Sequence, residues 1–295
     1  MFIISCSESE QSDNSVAKVT PEKAAREIVF GIYTADKAST TVAEFAPVIE
    51  WLETELKMRT GEAIRIRMRV SNQYLEGIGD LAEGRAHFSR LGPASFILAV
   101  DENPKLEILA MESEQGDRNF KGVFAIHADS ELKSLQDLKG KSLAFGDPLS
   151  TIGRYLSQEQ LLKAGIKGSD LAKYNFLGRH DTVGMAVAAG DYDAGALKIS
   201  SYEKLVKAGH PLKKLADFDN ITKPWVYHPD LDQAIALALR NAMLEINAED
   251  AVKIGVDGFL EANPDYYLPI RDAMEVSKNF DDSSSDSISS TETEP

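Results

Sequence analysis

Apolar and polar positions along this chain follow two periods, one of two residues and one near three and a half, and the two alternate. Ile28 to Tyr33 is a short apolar run that ends in a polar loop. Thr41-x-x-Glu44 then has the form of a capping box, in which a hydroxyl and a carboxylate three residues apart satisfy the first N–H groups of a helix. Phe45, Ile49, Leu52 and Leu56 give that helix its apolar face, and Gly61 follows it. Next, Ile64, Ile66, Met68 and Val70 alternate with Arg65, Arg67 and Arg69, a strand with one apolar and one charged side. The three arginines read as the solvated side of that strand. A helix from Gln73 to Glu83 and a strand around Ala86 to Ser89 come next. Pro93 suits the first turn of a helix running to about Asp101.

The same alternation continues. Leu106 to Met111, Gly122 to Ile126 and Lys141 to Phe145 read as strands, and the last leads through a polar loop into a helix from Ile152 to Ala164. Tyr174 to Leu177, a helix from about Asp181 to Ala189, and Tyr192 to Leu197 form a further strand-helix-strand unit. Leu212 to Phe218 and Trp225 to Tyr227 are the last predicted strands, and the remainder to Phe280 reads as helical. Leu231, Ile235, Ala238 and Met243 mark one face of its first helix. This order predicts an α/β fold with parallel or mixed sheets covered by helices. No internal repeat is evident.

Length fits this pattern: 295 residues amount to about two domains, each able to bury a core. With 32 basic and 47 acidic side chains the net charge is −15, which excludes nucleic-acid binding through a broad basic surface. Longer apolar stretches such as Ala94 to Val100 fall well short of the ~20 residues of a membrane span. The single cysteine, Cys6, excludes an intramolecular disulfide framework and a multi-cysteine metal cluster. Ile3-Ile4-Ser5-Cys6 has the form of a bacterial lipobox, but the charged and longer apolar parts of a leader do not precede it. Cys6 is thus either a lipidation site, with residues 1–26 a leader remnant and tether, or a cysteine in an unstructured tail. Residues 281–295 are rich in Ser, Asp, Glu and Thr and read as an acidic disordered tail.

The stretch richest in chemistry runs from Asp137 to Gly153. It is a strand feeding Gly146-Asp147-Pro148-Leu149-Ser150-Thr151-Ile152-Gly153, with Ser150 and Thr151 at the start of a helix. Free backbone N–H groups, the helix dipole and two hydroxyls together favour an anion there, while a plain serine cap would look the same. Neither of the common glycine-rich nucleotide loops is present. His180-Asp181 could be part of a metal phosphohydrolase site. The five histidines, His87, His127, His180, His210 and His228, are however scattered without a ligand spacing, and no metal or other cofactor is expected.

Four segments in order carry a resemblance. Gly92-Pro93-Ala94-Ser95 follows a short strand, and Phe120-Lys121-Gly122-Val123 opens another. Ser134 to Gly153 contains the Asp-Pro-x-Ser-Thr-x-Gly signature, and Gly178-Arg179-His180-Asp181 leads to Tyr192-Asp193-Ala194-Gly195-Ala196. Over about residues 27–280 the chain resembles the phosphate, phosphite and phosphonate substrate-binding proteins that serve ABC transporters, two-lobed periplasmic binding proteins of the second topological type. The resemblance implies that Ser150 and Thr151 grip the anion and that His180 donates to it. It places Tyr74 on the opposite lobe. Phe120 stands where members carry a tyrosine, and Ile152 where many carry a further serine. Arg90 precedes Gly92, where an aromatic is frequent, and either adds a bidentate contact or faces solvent. Positions that hold carboxylates in members taking aminophosphonates hold Ser200 and Lys223 here. Asp193 reads as structural, before a turn of small residues.

The expectation is therefore a two-lobed clamshell. Lobe 1 would comprise residues 27–115 and 210–280, and lobe 2 residues 116–209. The resemblance implies capture of a small oxyanion outside the cytoplasm for uptake by an ABC permease, with the ligand held by Tyr74, Arg90, Phe120, Ser150, Thr151, His180 and Lys223. A monomer is expected, with membrane contact only through a lipid on Cys6. A sensor domain that reports to a receptor would use the same clamshell and is the alternative.

Overall fold

A computed structural model of the chain describes residues 25–34 and 38–281. Cys6, the tether and the acidic tail lie outside the described residues. The first sheet begins with β1 (Arg26–Tyr33), which pairs in parallel with β2 (Ile64–Ser71) across the helix α1 (Ala38–Thr60). The helix α2 (Tyr74–Ala82), strand β3 (Phe88–Arg90), helix α3 (Pro93–Glu102) and strand β4 (Glu107–Glu112) complete the first pass.

The chain then enters a second sheet through β5 (Asn119–His127). It continues with β6 (Ser142–Phe145), a wide helical turn at Thr151–Tyr155, α4 (Leu156–Lys163), β7 (Lys173–Phe176) and α5 (His180–Ala188). The strand β8 (Ala194–Lys198), helix α6 (Ile199–Lys207) and strand β9 (Leu212–Ile221) close this lobe. The return strand β10 (Pro224–Tyr227) inserts antiparallel between β3 and β4. With a last short strand β11 (Phe259–Leu260), the strand order is β11-β4-β10-β3-β1-β2 in one sheet and β7-β6-β8-β5-β9 in the other, and both are mixed.

Three expectations are corrected here. The first helix begins at Ala38, so Thr41 lies inside it rather than capping it. Thr41 is buried, and its hydroxyl shares a 2.6 Å hydrogen bond with that of Thr34. The second concerns the return to lobe 1, which takes place at residues 222–223 and not near residue 210. The reason is that β9 pairs along its length with β5 and extends the second sheet by one strand. The third is in the C-terminal part, which is not wholly helical. After α7 (Gln233–Leu244) and α8 (Ala248–Ile254), a two-residue strand β11 (Phe259–Leu260) pairs with Met111 and Glu112 at the sheet edge. An edge strand of that length has too few residues to show a period.

Lobe 1 is held by an aromatic cluster. Trp225 on β10 stacks on Phe30 of β1 at 5.0 Å and 9°, with Phe45, Phe88 and Phe259 around it. A strand that returns from the other lobe thus supplies the largest side chain of this core. The last helix, α9 (Leu268–Ser277), makes a third crossing. Tyr267 just before it packs edge-on to Phe96 of lobe 1, whereas Phe280 just after it is fully buried against Phe145 and Tyr174 of lobe 2.

Candidate ligand-binding site

Between the lobes lies a cavity of ≈ 100 Å³, below the roughly 300–1,000 Å³ of sites for drug-sized ligands. Tyr74, Arg90, Phe120, Ser150, Thr151, His180 and Lys223, the residues singled out from the sequence, all line it. Its walls are largely the starts of helices. Tyr74 opens α2, Gly92 and Pro93 open α3, Ser150 and Thr151 open the wide turn, His180 opens α5, and Lys198 immediately precedes α6. Each start brings the positive end of a helix dipole to the wall of the space, although the N–H groups of Gly92, Ala94 and Gly153 are taken up by Tyr33, Thr151 and Ser150. That local field is independent of the overall charge of −15.

The Ser-Thr turn depends on two glycines. The Gly146 N–H donates to the Gly153 carbonyl at 2.9 Å. A Cβ on Gly153 would come 2.8 Å from the Gly146 Cα, and one on Gly146 would come 2.9 Å from the Gly153 Cα. Backbone against backbone cannot yield as a side chain can, so the loop needs glycine at both ends. Within it Ser150 does cap the turn: its Oγ accepts from the Gly153 N–H at 3.0 Å. The Tyr155 N–H reaches back to the Ser150 carbonyl at 3.3 Å, one residue further than in an α-helix. Such widened turns are frequent at functional sites. Thr151 reaches across the cleft, where its Oγ1 accepts from the Ala94 N–H at the start of α3 at 2.9 Å. Both hydroxyl oxygens are thus engaged as acceptors, which leaves their hydrogens to be donated to a ligand.

Arg90 lines the cavity rather than facing solvent, and in the empty cleft it is paired. Its Nε and NH2 grip Glu112 as a fork, the NH2 contact being 2.9 Å, and its guanidinium lies 5.0 Å over the Phe45 ring. Burial pulls the Arg90 pKa down, and Glu112 more than offsets this; the carboxyl of Glu112 is held below its usual range by Arg90 and Lys223 against the pull of burial. Lys223 stands over Phe120 at 5.4 Å. Burial, with the neighbouring Arg90, lowers its pKa to about 7. His180 is pushed down to about 3 by burial and by Lys198 and Lys223, so its ring is neutral at pH 7, and its Nδ1 has no partner among the described residues. The His180-Asp181 pair does not act as a dyad, because Asp181 is forked to Arg179 at 2.9 and 2.7 Å.

Further residues complete the site. Lys198 lines it, while Ser200, two residues on, is exposed and does not. Tyr33, at the end of β1, accepts from the Gly92 N–H at 2.7 Å and donates to Ser95 Oγ at 2.8 Å, fixing the start of α3. Burial raises its pKa. Glu44 and Asn220 also face the space. A polar residue ending an apolar strand was the available signal for Tyr33 and Asn220; Glu44 was hidden by its apparent capping role. Asp193 lies elsewhere, joining β6 to β8 by accepting from the N–H and hydroxyl of Ser142 at 2.8 and 2.7 Å. No cluster of three metal-ligating side chains occurs among the described residues.

Comparison with known proteins places the chain in a family and a fold. The phosphate-import protein PhnD of Mycolicibacterium smegmatis is 26% identical over 200 residues, 64% of this chain and 59% of that protein, so the match spans less than two thirds of the relative's length. Among solved structures, a binding-protein component of an ABC phosphonate transporter from Pseudomonas aeruginosa superposes with a TM-score of 0.74 at 18% identity, over 87% of this chain and 88% of that one. PhnD1 of Prochlorococcus marinus in complex with methylphosphonate gives 0.73 at 19% identity, over 86% and 98%. At such identities the likeness is one of fold. The sequence profile of the phosphonate periplasmic substrate-binding proteins of ABC transporters matches residues 30–267, and the chain belongs to that family.

Proposed function

We propose that this protein captures a small phosphorus oxyanion, whether phosphate, phosphite or an alkylphosphonate, outside the cytoplasm and hands it to the permease of an ABC transporter. The observation that carries the reading is the convergence of five helix starts from both lobes on one small cavity that also holds Arg90, Lys198 and Lys223. Ser150 and Thr151 would donate their hydroxyl hydrogens to the anion, and His180, neutral when the cleft is empty, would turn a ring N–H toward it. Tyr74 and Phe120 would form the apolar walls. The Thr151 to Ala94 hydrogen bond spans the lobes, so the grip and the closing of the hinge are one event. A calorimetric screen of phosphate, phosphite and methylphosphonate tests the reading; absence of binding by all three would refute it.

Selectivity follows from charge. A buried ammonium needs an acidic partner to offset its desolvation. Glu44 is the single acidic side chain among the described lining residues, and it stands in the field of Arg90 and Lys223. 2-Aminoethylphosphonate is therefore expected to bind at least about tenfold more weakly than methylphosphonate, a gap of about 1.4 kcal/mol. Lys223→Glu should narrow that gap. Tight binding of the aminophosphonate by the unaltered protein would show that the charge argument is wrong.

Lys223 also predicts a proton. Its pKa of about 7 in the empty cleft must rise when an anion arrives, so binding near and above pH 7 takes up protons and affinity falls as pH rises through that range. Calorimetry with methylphosphonate in two buffers of different ionisation enthalpy reads the uptake directly. The wild type and Lys223→Met should differ in it. Identical uptake would remove Lys223 from the site.

A further inference from the structure

Most polar side chains around the cavity have hydrogens to give: the two hydroxyls of the Ser-Thr turn, Arg90, Lys198 and Lys223. Asn220 differs. It lies on β9 opposite Phe120 of β5, two residues before the chain crosses back to lobe 1. It is 3% exposed and lines the cavity, and its Oδ1 has no hydrogen-bond partner among the described residues. A buried acceptor left without a donor is costly, and native proteins almost always satisfy one. Glu44, the acidic side chain on the wall, is exposed and open to solvent. For Asn220 the space able to hold a donor is the ligand cavity itself.

A fully ionised anion brings acceptors only and would leave this oxygen unmet. A phosphorus oxyanion that keeps one proton brings a P–OH, which both donates to Oδ1 and lets its remaining oxygens accept from the donors around it. Sulfate, with the same tetrahedral shape, carries no such proton near neutral pH. We infer that Asn220 is a specificity residue, accepting a hydrogen bond from the P–OH of a singly protonated phosphorus oxyanion and excluding sulfate. The inference rests on the anion-capture reading and specifies which chemical form the site takes. Discrimination of this kind is the stronger one available to a protein, because the wrong ligand leaves a buried polar group unpaired.

The test is calorimetric titration of wild type, Asn220→Ala and Asn220→Asp with phosphate, methylphosphonate and sulfate at one pH near neutrality, with thermal midpoints as a check of folding. Wild type is expected to prefer both phosphorus anions to sulfate by at least about tenfold. Asn220→Ala should weaken the phosphorus anions about tenfold, the scale of one buried hydrogen bond, and leave sulfate within about twofold, so that discrimination collapses. Asn220→Asp keeps the acceptor and should keep the preference. If the alanine variant does not fold, Asn220→Leu, close to asparagine in size, makes the same comparison. Equal wild-type affinity for sulfate and phosphate, or an equal loss for all three anions in Asn220→Ala, would overturn the role of Asn220 while anion capture stands. Binding of no anion by the wild type would overturn both.

Discussion

Glu112→Gln is expected to lower the stability of the ligand-free protein by about 3 kcal/mol and at the same time to tighten anion binding. Glu112 ends β4 and accepts the fork of Arg90, which lines the cavity, and a hydrogen bond from Trp225 Nε1 at 3.3 Å. Its side chain is 21% exposed and that of Arg90 19%. Removing one partner from a pair so enclosed leaves the other charge uncompensated, which costs more than the pair contributes. The freed positive charge then faces the cleft, and an incoming anion takes the place of the lost carboxylate. Urea unfolding with and without methylphosphonate, together with calorimetry, separates the two effects. Lower stability with unchanged or weaker affinity would show that Arg90 does not act on the ligand. The carboxyl of Glu112 is held below its normal range in the folded state. Its contribution is therefore present above the unfolded pKa of about 4.3 and is lost as pH falls through the lower folded value. An acid titration of stability should show wild type and Glu112→Gln converging at low pH.

Thr151→Ala should weaken methylphosphonate binding by about 1–3 kcal/mol, the scale of one hydrogen bond to a charged group. The hydroxyl has two duties, since its oxygen holds the start of α3 while its hydrogen is left for the ligand. Thr151→Ser retains both and should restore most of the affinity, whereas Thr151→Val keeps the shape and should not. Full affinity in Thr151→Val would reduce the Ser-Thr pair to a helix cap.

The Ser-Thr turn was legible in the sequence because its determinants are local: a strand, two glycines that must touch, and two hydroxyls at a helix start lie within eight residues. Arg65 and Arg67 were placed correctly on an exposed strand face, since period two needs no partner to be recognised. Arg69, on the same side, is half-buried and pairs with the buried Asp80 of α2 at 2.6 Å, which the period does not show. Glu112 was missed because its partner Arg90 is 22 residues away and on a strand that is not even adjacent, β10 lying between them. The boundary near residue 210 failed for a related reason. Gly209 ends a helix and looks like a hinge, but β9 pairs with β5, which lies about ninety positions earlier. Asn220 shows in the sequence only as a polar residue near the end of a strand; its missing partner, which is what distinguishes it, only the fold can show.

The third crossing through α9 has a practical consequence. On lobe 1 this helix is held by the packing of Tyr267 on Phe96 and by the Arg271–Asp101 ion pair, whose side chains are 43% and 50% exposed, and a pair so exposed contributes at most about 1 kcal/mol. On lobe 2 the segment after it is anchored by the buried Phe280, and the Gly168 N–H donates to the Phe280 carbonyl at 2.8 Å. The C-terminal end of the described chain therefore travels with lobe 2, while Arg26 at the other end is fixed in the sheet of lobe 1. A donor dye at position 26 and an acceptor at position 281 would ride on opposite jaws, so their transfer efficiency would convert each capture of an anion into an optical signal without a label in the cleft.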